Sequence, residues 1–258
     1  MPLHLNSLVE EKKDKKIFAE ILDLCIKAQN PISSDGVHFH MDYSLVDEEK
    51  ERFGKLVFTF SVVDDCLSLI DADIVIVSEK PKSLLFEYKL PKSGEATEYY
   101  DVIAVDDDLH FQVETVNRYS IKEAVEGTTR EVYLSAFPFT FDIYDNIEVF
   151  NEKSGLKDIK TKTGEVVYGF SEQFMCPNIS NSKSNETDSY TFMLGIIKDI
   201  DNIELKIGRT TMDFKILYLK TGAGIIPTVV SDKVFDLSNL EKGKLVAMNA
   251  DVKADFRK

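Results

Sequence analysis

The fold is decided by the stretch VAMNADVKADF at residues 246–256, which is the clearest repeating pattern in the chain. Every second residue from Val246 to Phe256 is apolar, and the residues between them are mostly polar or charged. Successive side chains of a strand point to opposite faces, so the pattern predicts a long strand with one buried face. A half-buried strand of this length is typical of small β-barrels whose strands bend round a corner.

The segment ahead of this strand supports the same interpretation. Strand-like patterns occur at 190–200, 212–219 and 224–230, and residues 236–240 are predicted to form a loop or helical turn. Small and apolar residues recur at Gly195-Ile196-Ile197, Phe214, Leu217, Thr221-Gly222, Ile225 to Val230, Leu240 and Gly243-Lys244-Leu245-Val246. With this spacing, residues 190–258 resemble an OB-fold barrel of the anticodon-binding type.

That resemblance implies binding of single-stranded nucleic acid through exposed aromatic side chains in a basic groove. The candidate basic residues are Lys206, Arg209, Lys215 and Lys220. Residues 190–258 hold 11 basic and 9 acidic side chains, a net of 11 − 9 = +2. This is a small excess for a nucleic-acid-binding domain, so a solvated barrel wall is the favoured interpretation of the four residues.

The first half of the chain shows a helix followed by strands. Apolar residues at three- and four-residue spacing predict a helix over 8–28, and Asn30-Pro31 ends it. Alternation predicts strands at 56–62, 74–77, 84–90, 99–105 and 109–113. Because the links between them are short and polar, an antiparallel meander is favoured over parallel crossovers.

Two local signals complete the prediction for this half. The capping-box pattern of Ser120 to Glu123 predicts a brief helix that Gly127 ends. Strands are predicted at 131–137 and 140–150, and Pro138 between them is predicted to force a bend or an edge.

The predicted fold class is therefore α+β, with an N-terminal helix packed on an antiparallel β-meander and a C-terminal OB-like β-barrel. The predicted division is an acidic α+β domain at 1–150, connecting strands and a polar linker at 151–189, and the barrel at 190–258. The linker rests on PNISNSKSNETDS at 177–189, which has one large apolar residue in thirteen.

A metal site is one hypothesis for the chemistry. On a strand, His38, His40 and Asp42 would point to one side and offer two imidazoles and a carboxylate to Zn²⁺ or Fe²⁺. The His-x-His spacing is short and common, so ordinary strand residues are the favoured alternative. No cofactor is predicted, and no catalytic motif is found, so the chain is assigned no enzymatic activity.

Charge and cysteine content limit which partners and which cellular compartment the sequence predicts. Residues 1–150 carry 15 Lys and Arg against 30 Asp and Glu, a net of 15 − 30 = −15, whereas residues 151–258 carry 16 against 15, a net of +1. An acidic half repels nucleic acid and anionic membranes, and a protein partner is predicted for it. Three dispersed cysteines and no predicted signal peptide or membrane span indicate a cytosolic protein.

The leading hypothesis is a cytosolic bacterial binding or adaptor protein that is not an enzyme and contacts a protein partner through its acidic half. Nucleic-acid binding by the barrel and a metal-dependent activity at His38, His40 and Asp42 are the two alternatives.

Overall fold

A computed structural model describes residues 32–33, 35–45, 53–63, 65–78, 80–90, 97–155, 162–163, 170–177, 190–207 and 210–257. Of the described residues, 64% are in strands and 6% are in helices, so this part of the chain is mostly β and the predicted α+β class is wrong. The helix predicted over 8–28 lies outside the described residues. Within them, the only α-helix is α1 (Ile147–Lys153), whose N-terminus is capped by the side chain of Asn146.

The described strands are β1 (His38–Leu45), β2 (Gly54–Val63), β3 (Cys66–Ile76), β4 (Lys82–Lys89), β5 (Glu98–Ala104), β6 (Leu109–Thr115), β7 (Thr128–Tyr144), β8 (Met175–Pro177), β9 (Thr191–Ile207), β10 (Thr210–Thr221), β11 (Gly224–Val230) and β12 (Leu245–Phe256). Within the described residues they form one sheet of three strands and one of nine.

The three-stranded sheet is antiparallel, in the order β1-β2-β3. The nine-stranded sheet has the order β10-β11-β7-β4-β5-β6-β12-β9-β8, with further pairing of β9 to β10 and of β7 to β12. These extra pairings close the sheet on itself. One circuit runs β9-β10-β11-β7-β12, and a second runs β7-β4-β5-β6-β12, so the sheet is ring-like.

The C-terminal OB-like barrel stays a prediction, because the first circuit is not closed within residues 190–258. Residues 190–258 supply β9 to β12, but β7 from residues 128–144 completes the circuit. Nothing identifies an OB fold. The division into domains stays a prediction, and strands from both sides of the segment 151–189 share one sheet.

Two local predictions are also corrected. The segment after Asn117 forms only a 3-10 turn at Arg118–Ser120, and the brief helix predicted from Ser120 is wrong. The two strands predicted on either side of Pro138 form one strand, β7, whose pairing with β12 shifts register between Pro138 and Thr140.

The main core lies inside the ring-like sheet. The alternate apolar residues of β12 from Val246 to Phe256 pack there with Phe86 and Phe111, which confirms the predicted buried face. A second core joins the two sheets, where Phe58 and Ile74 pack against strand β10. The three-stranded sheet therefore covers part of the outer surface of the ring.

No helix among the described residues is long and apolar enough to cross a membrane.

Candidate functional site

One face of β12 carries mostly polar residues, and the sequence pattern predicts that this face is exposed to solvent. In the structure, the last third of this face is covered. Lys253 is completely buried there, under the three-stranded sheet. Its ammonium group donates to the carboxylate of Asp73 on β3 and lies 3.4 Å from Glu114 Oε1 on β6. It also lies 5.3 Å from the ring centroid of Phe137.

A second buried lysine makes the reciprocal contact, from the three-stranded sheet to the nine-stranded sheet. Lys55 Nζ on β2 donates to Asp255 Oδ1 on β12 at 2.7 Å and lies 3.5 Å from Asp42 Oδ2 on β1. Each sheet thus sends a lysine to a carboxylate of the other. We call Lys55, Asp73, Glu114, Lys253 and Asp255 the inter-sheet charge cluster.

Neighbouring carboxylates keep Lys253 charged. Burial alone would lower the pKa of Lys253, but the neighbouring carboxylates of Asp73 and Glu114 raise it overall. The nearby Tyr99 hydroxyl has a pKa raised by burial first and then by the charges of Glu114 and Asp251. Tyr99 therefore stays neutral and Lys253 stays protonated at physiological pH. Ion pairs so arranged hold one packing of the two sheets.

The charged groups of the cluster are bonded to one another as ion pairs. Within the described part of the chain, no group of three or more His, Cys, Asp or Glu side chains is arranged to hold a metal ion.

The residues of the inter-sheet charge cluster were not predicted from the sequence, because a lysine on a strand is normally solvated. The signal that could have revealed them is the acid-x-Lys-x-acid pattern at Asp251, Lys253 and Asp255, which places three charges on one face.

The structure places His38, His40 and Asp42 on β1, as predicted, but gives each a different protein partner. The backbone N–H of Tyr119 donates to His40 Nε2 at 3.0 Å, so the proton of the neutral imidazole is on Nδ1. His40 Nδ1 lies 3.1 Å from Thr59 Oγ1, to which it donates. His38 Nδ1 lies 2.8 Å from Asp35 Oδ2. Asp42 faces Lys55.

A metal ligand needs a free nitrogen lone pair, and that of His40 Nε2 accepts the Tyr119 hydrogen bond. The ring of Tyr119 also stacks on His38, with centroids 4.4 Å apart. These contacts give His38 and His40 a part in joining β1 to the 3-10 turn. The metal-site hypothesis stays a prediction.

The predicted basic residues do not form one strip. Lys206 and Lys215 share a face of the β9–β10 pair, with Glu204 and Asp213 directly opposite each other between them. Lys206 is paired with Glu204 at 2.8 Å. A cavity of about 220 Å³ beside them is lined by Lys215 and by three carboxylates, those of Glu204, Asp213 and Asp232. Because three carboxylates and one lysine line this cavity, this part of the surface repels phosphate groups.

Lys220 lies on the opposite face of β10 from Lys215, because the two positions differ by an odd number and the extra residue at the register shift between them is on β9. Arg209 lies outside the described residues. The described part of the predicted nucleic-acid site is thus divided between two surfaces.

The outer face of β4, β5 and β6 has a different character. Leu85 on β4 pairs with Ile103 on β5, and both are half-buried and point outward. Carboxylates surround them: Glu87 on β4 and Asp101 on β5, with His110 on β6 at 3.6 Å from Glu87.

The turn between β5 and β6 continues this surface. Val105 is 51% exposed, and Asp106, Asp107 and Asp108 are all exposed. Lys82 Nζ, 3.7 Å from Asp107 Oδ2, is the nearby cation. We call the outward residues of β4, β5 and β6 together with the turn at 105–108 the acidic face.

Tyr88, 52% exposed, borders the acidic face. A hydrogen bond to the carboxylate of Asp101, joined by the charges of Asp101 and Glu87, raises the pKa of Tyr88. The local field is therefore negative. Sequence reasoning placed the excess acid in the first half of the chain, but it could not show which carboxylates lie together with exposed apolar groups.

Comparisons with protein-family models, with curated proteins and with solved structures found no match to this chain.

Proposed function

We propose that this protein is a non-enzymatic binding or adaptor protein and that it holds a basic protein partner against the acidic face. The observation that carries the proposal is the combination on one surface of apolar side chains, Leu85, Ile103 and Val105, with a surrounding set of carboxylates. Protein interfaces combine an apolar centre with a polar rim in this way.

Charge complementarity identifies the partner's chemistry. The acidic face presents Glu87, Asp101 and the three aspartates of the turn, against Lys82 and the imidazole of His110. A surface rich in Lys and Arg is attracted over distances of about a Debye length, roughly 8–10 Å at physiological salt. Complementary charge mainly raises the association rate and selects the partner, so binding is expected to weaken as salt rises.

The test is affinity capture from a native lysate with three versions of the full chain. The test variant combines Asp106→Asn, Asp107→Asn and Asp108→Asn. Asparagine also tolerates the positive φ of 49° at position 108, so the turn is preserved.

The matched control removes three exposed carboxylates outside the acidic face, by Asp142→Asn, Glu148→Gln and Glu172→Gln, and so changes the net charge equally. The proposal expects a protein of basic composition that the wild type and the control retain and that the test variant loses. It also expects that protein to elute with added NaCl. If no captured basic protein distinguishes the test variant from the control, the proposal is wrong.

The nucleic-acid and metal alternatives stay predictions, and no contact among the described residues favours either.

A further inference from the structure

A polar groove of about 850 Å³ lies at one end of the ring-like sheet. Its walls are the loop residues 120–123, the start of β7 at 129–131, and residues 256–257 at the end of β12. Pockets that take small organic ligands have volumes of about 300–1,000 Å³. The groove is on a different surface from the acidic face, since it involves none of the outward residues of β4, β5 and β6.

Three cationic side chains line this groove, in a chain with a net charge of −14. Lys122 is exposed and, among the described residues, has no ion-pair partner. Arg130 Nη2 donates to Glu123 Oε2 at 3.0 Å, and Arg257 Nη1 donates to Glu131 Oε2 at 2.6 Å. Glu123 and Glu131 lie in the groove wall, so its lining carries a net charge of 3 − 2 = +1.

Both guanidinium groups keep donors available. Arg130 uses Nε, on Thr128 Oγ1 at 3.2 Å, and Nη2, whereas Arg257 uses Nη1. No described residue accepts from Arg130 Nη1 or from Arg257 Nη2. A guanidinium group offers five N–H donors in a planar fork that matches carboxylate and phosphate oxygens.

The wall of the groove is fixed by backbone contacts rather than by the surface ion pairs. Arg118 Nη1 donates to the carbonyl oxygen of Ile121 at 2.9 Å, and the Gly127 N–H donates to the carbonyl oxygen of Phe86 at 2.7 Å. Gly127 has a φ of +73°, a backbone conformation that favours glycine. The groove is therefore formed before a ligand binds, which limits the ordering cost of binding.

We infer that this groove binds a small organic polyanion, whose carboxylate or phosphate groups pair with Lys122, Arg130 and Arg257. The inference goes beyond the proposed function, because it concerns a small ligand and another surface. Glu123 and Glu131 occupy one nitrogen of each arginine in the free protein, and a ligand bearing several anionic oxygens bonds to the nitrogens that remain.

Calorimetric titration of the full chain at low salt tests the inference, with citrate and tripolyphosphate as the two probes. At least one probe is expected to bind with a dissociation constant below ~1 mM. Binding of citrate alone would identify a carboxylate ligand, and binding of tripolyphosphate alone would identify a phosphate ligand. If neither probe binds with a dissociation constant below about 1 mM, the inference is overturned.

Three variants locate the binding. Arg130→Gln and Arg257→Gln are each expected to lower the affinity for the probe that binds by about tenfold, and Lys122→Gln is expected to lower it by a few-fold. Lys122→Gln breaks no protein ion pair, so it keeps the test decisive if an arginine variant fails to fold. Lys220→Gln removes an exposed cation from another strand and is the matched control. Equal affinity of the Lys122→Gln, Lys220→Gln and wild-type proteins would also overturn the inference.

Discussion

Lys253 and Asp73, 180 residues apart in the chain, form a buried ion pair across the interface between the two sheets. The side chain of Lys253 is 0% exposed and that of Asp73 is 4% exposed. The second lysine, Lys55, makes the reciprocal contact with Asp255. The three-stranded sheet is thus positioned on the ring-like sheet by charge pairs in addition to apolar packing.

Replacing Lys253 by methionine should therefore destabilise the fold strongly. The Lys253→Met variant leaves the carboxylates of Asp73 and Glu114 buried without their counter-ion, and we expect a loss of about 3–5 kcal/mol in the free energy of unfolding, measured with urea. The control is Lys206→Met, which breaks the exposed pair with Glu204 and should cost at most about 1 kcal/mol. Equal losses for the two variants would contradict the assigned role of Lys253.

Acid should weaken the fold through Glu98. Burial by itself would raise the pKa of this carboxyl, but hydrogen bonds from Lys89 and Tyr100 and the charge of Arg118 bring it below its ordinary value of 4.5. A carboxyl whose pKa is lower in the folded state stabilises the fold above its unfolded-state pKa, and that stabilisation is lost as pH falls through the folded-state pKa.

The matching measurement follows urea unfolding of wild type and Glu98→Gln from pH 7 to about pH 3. The stability difference between them should be constant near neutrality and shrink below about pH 4.5, as the wild-type carboxyl becomes protonated. Glu172→Gln, at an exposed position, is the control. A difference that stays constant to pH 3 would contradict the assigned contacts of Glu98.

His40 should act as a structural residue in the absence of metal. We expect His40→Ala to lose about 1–3 kcal/mol of stability in buffer containing a chelator, because the part-buried Tyr119 N–H and the buried Thr59 hydroxyl lose their partner. His38→Ala, which breaks a more exposed contact with Asp35, should cost less. The metal hypothesis would be supported instead if added Zn²⁺ raised the thermal midpoint of the wild type but did not raise that of His40→Ala.

Strand periodicity could be predicted from the sequence where one face is buried and the other is polar. The patterns around Phe58, Phe86, Phe111 and Met248 lie within β2, β4, β6 and β12, and these four residues are in the cores. Strand β3 extends well before the predicted start at residue 74, because pairing with β2 recruits a segment whose own pattern is weak.

These patterns do not predict which strands pair when the strands are distant in sequence. Alternation shows that residues 246–256 have a polar face, but it does not show that β3 covers that face at Lys253. Nor does a local pattern show that β7 pairs with β12 and closes the ring, since the strand partner is set by contacts distant in sequence. The candidate surfaces depend on these pairings, and their residues therefore emerged only from the structure.

Site-specific photo-crosslinking can show directly whether the acidic face holds a basic protein partner. A photo-reactive side chain is placed at His110, on the acidic face, and in a second protein at Val234, which is 40% exposed and outside that face. In a native lysate, we expect position 110 to form a covalent adduct with a basic protein, at a yield that falls as NaCl is added, and position 234 not to form it. The absence of such an adduct at position 110, or an equal yield of it at position 234, would show that the acidic face does not hold a basic partner.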